Sequence, residues 1–404
     1  MTALTLLAYI SAALLLQLLA GIGMAVWRRR RGEAGAVPLP AAPPAHVAWT
    51  GWREFRVVRR EFEDSSHSQC SFYLAPLDGA MLPPFLPGQF LTFAVNAGAG
   101  QGSPLVRCYS LSELPDPVHY RVTVKRALAP AGQPELPPGK VSSHLHDTVQ
   151  VGDVLKVKAP TGRFVLDPAA DMPVVLIAGG IGITPLLCML RWCLAEQPGR
   201  SVHLYYGVRT AQELAFGELL AELARTHPAF HLHVVCSNPA TDDRNCPHTG
   251  YIDVPLLRQT LPAGHHQFYV CGPTPMMESL VPALADWGVP VQDIHFETFG
   301  PASIRLGATG ATQDQAETNA RFEVAFRRSG RTLTWDGQDA SLLDFAERHG
   351  VSVESGCRAG SCGSCETVLI EGTVGYAHTP DYPVTPGRCL LCVGIPRSPL
   401  VLDA

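Results

Sequence analysis

"MPVVLIAGGIGITPLLCMLRWCLAE", residues 172–196, changes its period halfway along. Val174 to Ala178 is short and wholly apolar, the pattern of a strand buried on both faces of a parallel sheet. Glycines end that run, and apolar residues at helical spacing follow. "VHLYYG" (202–207) reads as the next buried strand and completes a βαβ unit. A helix "AQELAFGELLAELARTH" (211–227), strands "FHLHVVCS" (230–237) and "HQFYVCG" (266–272), and a helix "TPMMESLVPALADWG" (274–288) continue the alternation. Residues 171–300 are therefore expected to form a doubly wound parallel α/β domain.

Upstream the pattern is different. "EFRVVRREFE" (54–63), "CSFYLAPL" (70–77), "QFLTFAVN" (89–96) and "YRVTVKRAL" (120–128) alternate or cluster β-favouring residues between Pro and Gly. No long helical period interrupts them, so residues 49–170 are expected to close into an antiparallel β-barrel. Downstream, residues 301–320 lack periodicity and bulk and read as a linker. Residues 321–404 hold strands "RFEVAF" and "TLTW", the helix "SLLDFAERHG" and a cysteine loop. A unit that small gains from a metal staple.

The chain has 404 residues, enough for two or three domains, and a net charge of -5 with 17% charged residues. No basic excess points to nucleic acid. Ala3 to Trp27 carries no charge, about 25 residues, and "RRRR" (28–31) follows. That predicts a transmembrane anchor over residues 1–27, a basic and Pro-rich linker over 28–48, and a single-pass inner-membrane protein whose catalytic domains are cytoplasmic. A cleaved signal peptide is the competing reading, opposed by the length of the apolar run and by arginines on its wrong side. In a reducing compartment the 12 cysteines point to metal or redox chemistry rather than disulfides.

"CRAGSCGSC" (357–365) sets Cys357, Cys362 and Cys365 at C-x4-C-x2-C, with small residues between them. Four thiolates hold a [2Fe–2S] cluster, and this is the plant-type spacing with a distant fourth ligand. Cys392 in "CLLCVGIP" (389–396) is the candidate, and Cys389 competes with it. A structural zinc site is the alternative, although zinc usually takes separated C-x2-C pairs. Residues 321–404 resemble plant-type ferredoxins in this loop and in "LLC" (390–392), with Gly356 where that family often has Ser. The resemblance implies a β-grasp fold.

"GGIGITP" (179–185) is a glycine turn after a buried strand, with Thr184 expected as N-cap and Pro185 in the first helical turn. Such a helix start suits pyrophosphate. It lacks the third glycine of the dehydrogenase fingerprint, and no acidic residue ends the next strand. "RCYS" (107–110), "GKVSSHL" (139–145), "GGIGITP" and "CGPTPMM" (271–277) occur in an order that resembles the ferredoxin–NADP reductase superfamily across residues 50–300.

That resemblance implies FAD rather than FMN, bound by Arg107 at the pyrophosphate, Cys108 and Tyr109 beside the ring, and Ser110 near its reactive edge. It adds Gly139, Val141 and Ser142 for phosphate, and Gly179, Gly180, Gly182, Thr184 and Pro185 for the dinucleotide. Cys271 is implied near the hydride-donating carbon, with Gly272 and Pro273 shaping its turn. "FETFGP" (296–301) resembles the end of the flavohaemoglobin reductase module, which places Glu297 and Phe299 by the flavin and nicotinamide; His295 beside them reads as a surface residue. The implied catalytic set is Cys271, Ser110 and Glu297. Ser237-Asn238 lacks the arginine that holds a 2′-phosphate in NADPH users, which favours NADH, with Arg209 in "GVRT" (207–210) as a possible substitute.

The order of flavin barrel, nucleotide domain and C-terminal ferredoxin resembles the phthalate dioxygenase reductase type. With the predicted anchor, it implies a membrane-anchored NAD(P)H reductase passing electrons through FAD and a [2Fe–2S] cluster to a membrane-bound oxygenase, hydroxylase or desaturase. The anchor would touch lipid, and no nucleic acid is expected. A membrane-bound redox sensor holding flavin and cluster with little turnover is the alternative.

Overall fold

The first described domain is built by strands whose alternate residues point inward. The computed structural model describes residues 49–97, 104–129, 135, 137–239, 246–299, 321–358, 360–376, 380 and 382–404. In β1 (Arg53–Phe62), Phe55 and Val57 are buried while Glu54 and Arg56 face solvent. β2 (Gln69–Pro76), β3 (Phe90–Val95), β4 (Leu105–Ser110), β5 (Tyr120–Lys125) and β6 (Val154–Thr161) join it in the order β4-β3-β6-β1-β2-β5, all antiparallel. A bridge between Leu111 and Val122, with Ser112 N–H donating to Arg121 O at 3.0 Å, closes the ends into a barrel. Its core holds Phe55, Phe72, Leu91, Phe93 and Tyr120, each worth ~1.5–3 kcal/mol when fully buried. Helix α1 (Lys140–Asp147) plugs the barrel with Val141 and Leu145.

The second domain is a six-stranded, wholly parallel sheet. β7 (Val174–Gly179), β8 (Val202–Val208), β9 (Phe230–Cys236), β10 (His248–Thr249), β11 (Gln267–Gly272) and β12 (Ile294–Thr298) lie in the order β10-β9-β8-β7-β11-β12. α2 (Ile183–Glu196) and α3 (Gly217–Thr226) pack on one face, α4 (Val254–Thr260) and α5 (Thr274–Asp286) on the other. Both faces being covered, β7 is buried at every position and shows no alternation. Strand order reverses between β7 and β11, which opens a crevice at their carboxyl ends. Cys236 and Cys246, outside the cysteine cluster, form a disulfide with Cα atoms 5.6 Å apart. Only the return of the chain to the end of β9 brings them together.

In the third domain, β13 (Phe322–Phe326), β14 (Arg331–Trp335), β15 (Glu366–Glu371), β17 (Arg388–Leu390) and β19 (Leu400–Leu402) form a mixed sheet in the order β14-β13-β19-β15-β17. β16 (Val374–Tyr376) and β18 (Gly394–Pro396) pair separately. β13 and β19 run parallel, and α6 (Leu342–Arg348) packs Leu342, Phe345 and Ala346 into the core they share. Ser341 caps α6, accepting the Asp344 N–H at 3.1 Å.

The fold class is corrected in one respect. A bilayer-crossing helix needs about 20 apolar residues, and the longest described helix, α2, has 14. Among the described residues no helix is long and apolar enough to cross a membrane. The transmembrane anchor expected over residues 1–27 and the linker over 28–48 lie outside the described residues, as does the linker over 301–320. Among the described residues the fold is barrel, α/β domain and C-terminal mixed-sheet domain, and none of their helices supports the expected single-pass inner-membrane placement.

Candidate functional site

β4 carries the first group of predicted residues. Paired with β3, it sets Ser110 opposite Phe90, Tyr109 opposite Leu91, Cys108 opposite Thr92 and Arg107 opposite Phe93. Arg107, Cys108, Tyr109 and Ser110 all line a cleft of about 1970 Å³, larger than the ~300–1,000 Å³ that one small ligand fills. Thr184, Glu297, Phe299, Cys357 and Cys392 also line it, so all three domains meet there. Tyr109 meets Phe93 edge-on at 5.4 Å, and burial raises its phenol pKa. Ser110 is 4% exposed, and its Oγ has no hydrogen-bond partner among the described residues. A buried hydroxyl without a partner fits a ligand with polar atoms along one edge, as a flavin has.

The two glycine turns at the crevice interlock. A Cβ on Gly182 would stand 2.0 Å from Cys271 O, and one on Gly179 would stand 2.6 Å from Pro273 Cδ. A Cβ on Gly272 would stand 3.1 Å from Gly179 Cα, so glycines let the two turns touch. Gly182, not Thr184, is the N-cap of α2: the residue before the helix is where the backbone turns, and Thr184 lies inside, its hydroxyl donating to Ile181 O at 3.0 Å. Pro185 is buried in the same helical turn. Cys271 pairs with Glu297 across β11 and β12 and is fully buried. Burial first, and then the charge of Glu297, push its thiol pKa well up, so it stays neutral. Phe299 is 40% exposed at the mouth. His295 is half-buried: its ring stacks on Tyr269 at 4.6 Å, and burial lowers its pKa.

The remaining predicted residues lie off the cleft lining. Val141 is in the barrel core. The Ser142 hydroxyl is engaged locally, donating to Gly139 O at 3.0 Å and accepting the Ala127 N–H at 3.1 Å. Arg209 Nε donates to Glu213 Oε1 at 2.8 Å, and Lys125 Nζ donates to the other oxygen at 2.8 Å. Asn238 N–H donates to Arg209 O at 2.8 Å, so Arg209 does stand beside Ser237-Asn238. Burial raises the Glu213 pKa, but its two cationic partners outweigh that and hold it low. Lys125, which sequence reading passed over, also lies 3.7 Å from where a Cβ on Gly180 would be. Nothing in its local sequence marks it.

In the cysteine loop, backbone N–H groups aim at sulfur. Cys357 N–H donates to Cys362 Sγ at 3.2 Å, Ser361 N–H to Cys357 Sγ at 3.3 Å and Cys392 N–H to Cys365 Sγ at 3.4 Å. The side chains pair as Cys357 with Cys362 and Cys365 with Cys392. Among the described residues no three His, Cys, Asp or Glu converge as a single ion would require. A two-iron cluster takes two thiolates per iron, so two pairs fit it. Cys389 instead lies in the core on β17, its thiol pushed up to about 12 by burial. A Cβ on Gly363 would meet the Tyr382 ring at 2.3 Å, so the loop needs glycine there.

The loop rests on the barrel. Lys158 Nζ donates to Cys362 O at 3.5 Å, and Thr161 Oγ1 to Ser361 O at 3.2 Å. A Cβ on Gly356 would lie 3.2 Å from Val106 of β4. The Cys108 thiol of β4 is the first cause that holds the Cys362 thiol low. Local spacing carries no signal of these contacts.

Three family models match in succession: an oxidoreductase FAD-binding domain over residues 56–166, an oxidoreductase NAD-binding domain over 176–281, and a 2Fe-2S iron-sulfur cluster binding domain over 324–397. The flavohemoprotein of Halalkalibacterium halodurans is 39% identical over 257 residues, covering 62% of this chain and 61% of that protein. The chain thus spans about three fifths of the length of such curated relatives. Among solved structures, phthalate dioxygenase reductase, described as a modular structure for electron transfer from pyridine nucleotides to [2Fe-2S], is 31% identical, covers 88% of this chain and 98% of its own, and has a TM-score of 0.53. An intact type IV self-sufficient cytochrome P450 monooxygenase is 25% identical, with 87% of this chain and 41% of that one covered and a TM-score of 0.57.

Proposed function

Because the chain belongs to the ferredoxin–NADP reductase superfamily, in the phthalate dioxygenase reductase-like form with a C-terminal [2Fe–2S] ferredoxin domain, we propose that it delivers electrons from NAD(P)H, through FAD and the cluster, to an oxygenase. It is an oxidoreductase with FAD-binding, NAD-binding and [2Fe–2S] domains. When bound, the nicotinamide supplies hydride, and the flavin divides that electron pair into the single electrons an iron–sulfur cluster carries.

The residues of this chain hold and orient. Arg107 brings positive charge to the cleft for the flavin pyrophosphate. Ser110 Oγ, without a partner among the described residues, would hydrogen-bond the edge of the ring. Cys271 presents a neutral thiol by the nicotinamide, shaped by the interlocked turns, with Glu297 beside it in register. Phe299 covers the mouth and limits water. Cys357, Cys362, Cys365 and Cys392 ligate the two irons.

The observation that carries this reading is the seating of the cluster loop on the barrel: Gly356 lies against Val106 of β4, the strand that bears the flavin residues, and Lys158 and Thr161 donate to the carbonyls of Cys362 and Ser361. It leaves no intervening domain between donor and acceptor. In rapid mixing with NADH under anaerobic conditions, flavin bleaching should precede cluster bleaching, and Cys362→Ser should remove the second phase. Disappearance of both phases together would overturn a series arrangement. An oxygenase as acceptor is favoured by the solved relatives, which include a monooxygenase fused to the same modules and a dioxygenase reductase. Reduction of a purified oxygenase partner, against none of cytochrome c, is the test of that choice.

A further inference from the structure

We infer that Tyr382 is a positioning residue for the cluster: its ring covers the cysteine loop, keeps water from the Cys362 and Cys365 sulfurs and so lowers the affinity of the cluster for its electron. The inference rests on the proposed role of these cysteines as iron ligands. Tyr382 belongs to the stretch between β16 and β17, well beyond the loop in sequence. It returns to the loop at two glycines. Its backbone N–H donates to Gly360 O at 3.0 Å. A Cβ on Gly363 would stand 2.3 Å from Tyr382 Cε2, 2.4 Å from its Cζ and 2.7 Å from its Cδ2, so the ring fills the space that a side chain at position 363 would take.

The place of that contact decides its effect. Gly363 lies between Cys362 and Cys365, so the ring is set over the segment that joins two ligands. Tyr382 is half-buried and packs against the core that holds Cys365 and Cys392. The barrel covers the loop elsewhere, with Val106 at Gly356, and Lys158 and Thr161 at the carbonyls of Cys362 and Ser361. At Gly363 the neighbour is Tyr382 and not the barrel.

The sign follows from charge. Reduction of one ferric iron to ferrous adds one negative charge, shared with the ligand sulfurs. Water turns its dipoles toward such a charge and stabilises the more highly charged form, whereas an aromatic ring in its place does not reorient. A ring that excludes water therefore favours the oxidised form. The backbone N–H groups aimed at the sulfurs of Cys357, Cys362 and Cys365 act in the opposite direction. Set against them, Tyr382 keeps the electron easy to pass on.

The experiment is a spectroelectrochemical titration of the full-length holoprotein, with iron and acid-labile sulfide measured on the same samples. Tyr382→Ala should shift the one-electron equilibrium toward the reduced cluster by about tenfold, or 59 mV for a one-electron couple. Tyr382→Phe, which keeps the ring, should leave the potential where it is. Tyr382→Leu, a smaller cover, should move it the same way as Tyr382→Ala by less, and it answers the question if Tyr382→Ala does not load. In D2O, pulsed EPR of reduced Tyr382→Ala should show stronger deuteron coupling than the wild type, which reads water entry and not mere loosening of the fold. Fully loaded clusters with the same potential in the wild type, Tyr382→Ala and Tyr382→Leu overturn this inference alone. A potential that moves without the stronger coupling, or moves the other way, does the same. A wild-type chain that takes up no iron after anaerobic reconstitution overturns the proposed function and this inference with it.

Discussion

With Arg209 proposed at the adenosine ribose, Glu213 is a residue whose contacts bear on which nicotinamide is used. It is held by Lys125 from the barrel and by Arg209 from the strand end beside Ser237-Asn238. A 2′-phosphate brought to Arg209 must compete with a carboxylate 2.8 Å from its Nε and meet that carboxylate's charge. This argues for NADH by a route that the missing arginine in "SN" does not supply. Glu213→Gln should therefore raise the kcat/KM for NADPH relative to NADH by about tenfold, a change worth ~1.4 kcal/mol. An unchanged ratio would mean that Arg209 does not meet the adenosine ribose. The same position shows the limit of local reading: "GVRTAQE" displays Arg209 and Glu213 four residues apart, but Lys125, the third member, lies 88 residues away from Glu213.

At the scale of elements, the turn between β7 and α2 and the turn between β11 and α5 form a single unit. Gly182→Ala would place a methyl 2.0 Å from Cys271 O, a backbone atom that cannot step aside without moving β11. It should weaken nicotinamide binding and lower the melting temperature together, whereas Gly199→Ala, with open space around it, should do neither. A second element-level feature is a row of rings across β8, β9 and β10. His203 stacks on His231 at 4.4 Å, Tyr205 stacks on His233 at 4.4 Å, and His233 approaches His248 at 5.9 Å. Burial, then neighbouring histidines, lower His203 and His233 to about 4. The unfolded chain takes up these protons near the usual 6.5, before the folded chain does. Stability is thus full above about pH 6.5 and is lost as pH falls toward 4, with no further loss from these groups below that. Thermal unfolding from pH 7.5 to 4 should show this decline, and His203→Gln should flatten it.

Across the whole molecule, function depends on surfaces that three separate cores present to one another. Lys158 and Thr161 join the barrel to the cysteine loop, and Lys158 also lies over Trp52 at 5.0 Å. Replacing both, as Lys158→Met and Thr161→Val, removes two hydrogen bonds of ~0.5–1.5 kcal/mol each. The electron-transfer phase from flavin to cluster should slow by about tenfold in stopped-flow traces; an unaltered rate would show that these bonds do not hold the donor against the acceptor. By itself the sequence determined the features whose cause is local. The apolar run of β7, the alternation in β1 and the C-x4-C-x2-C spacing each depend on neighbours a few residues away, and the periods of strand and helix make such patterns readable. It misplaced the N-cap of α2, because that depends on how the chain packs. The hydrophobic stretch at the start fits a bilayer by composition, yet no described helix is a membrane span. Only the tertiary structure decided that Cys392 and not Cys389 stands against Cys365, and that Cys236 meets Cys246. Those pairings join residues brought together by burial and strand register, which leave no periodic mark in the residues between them.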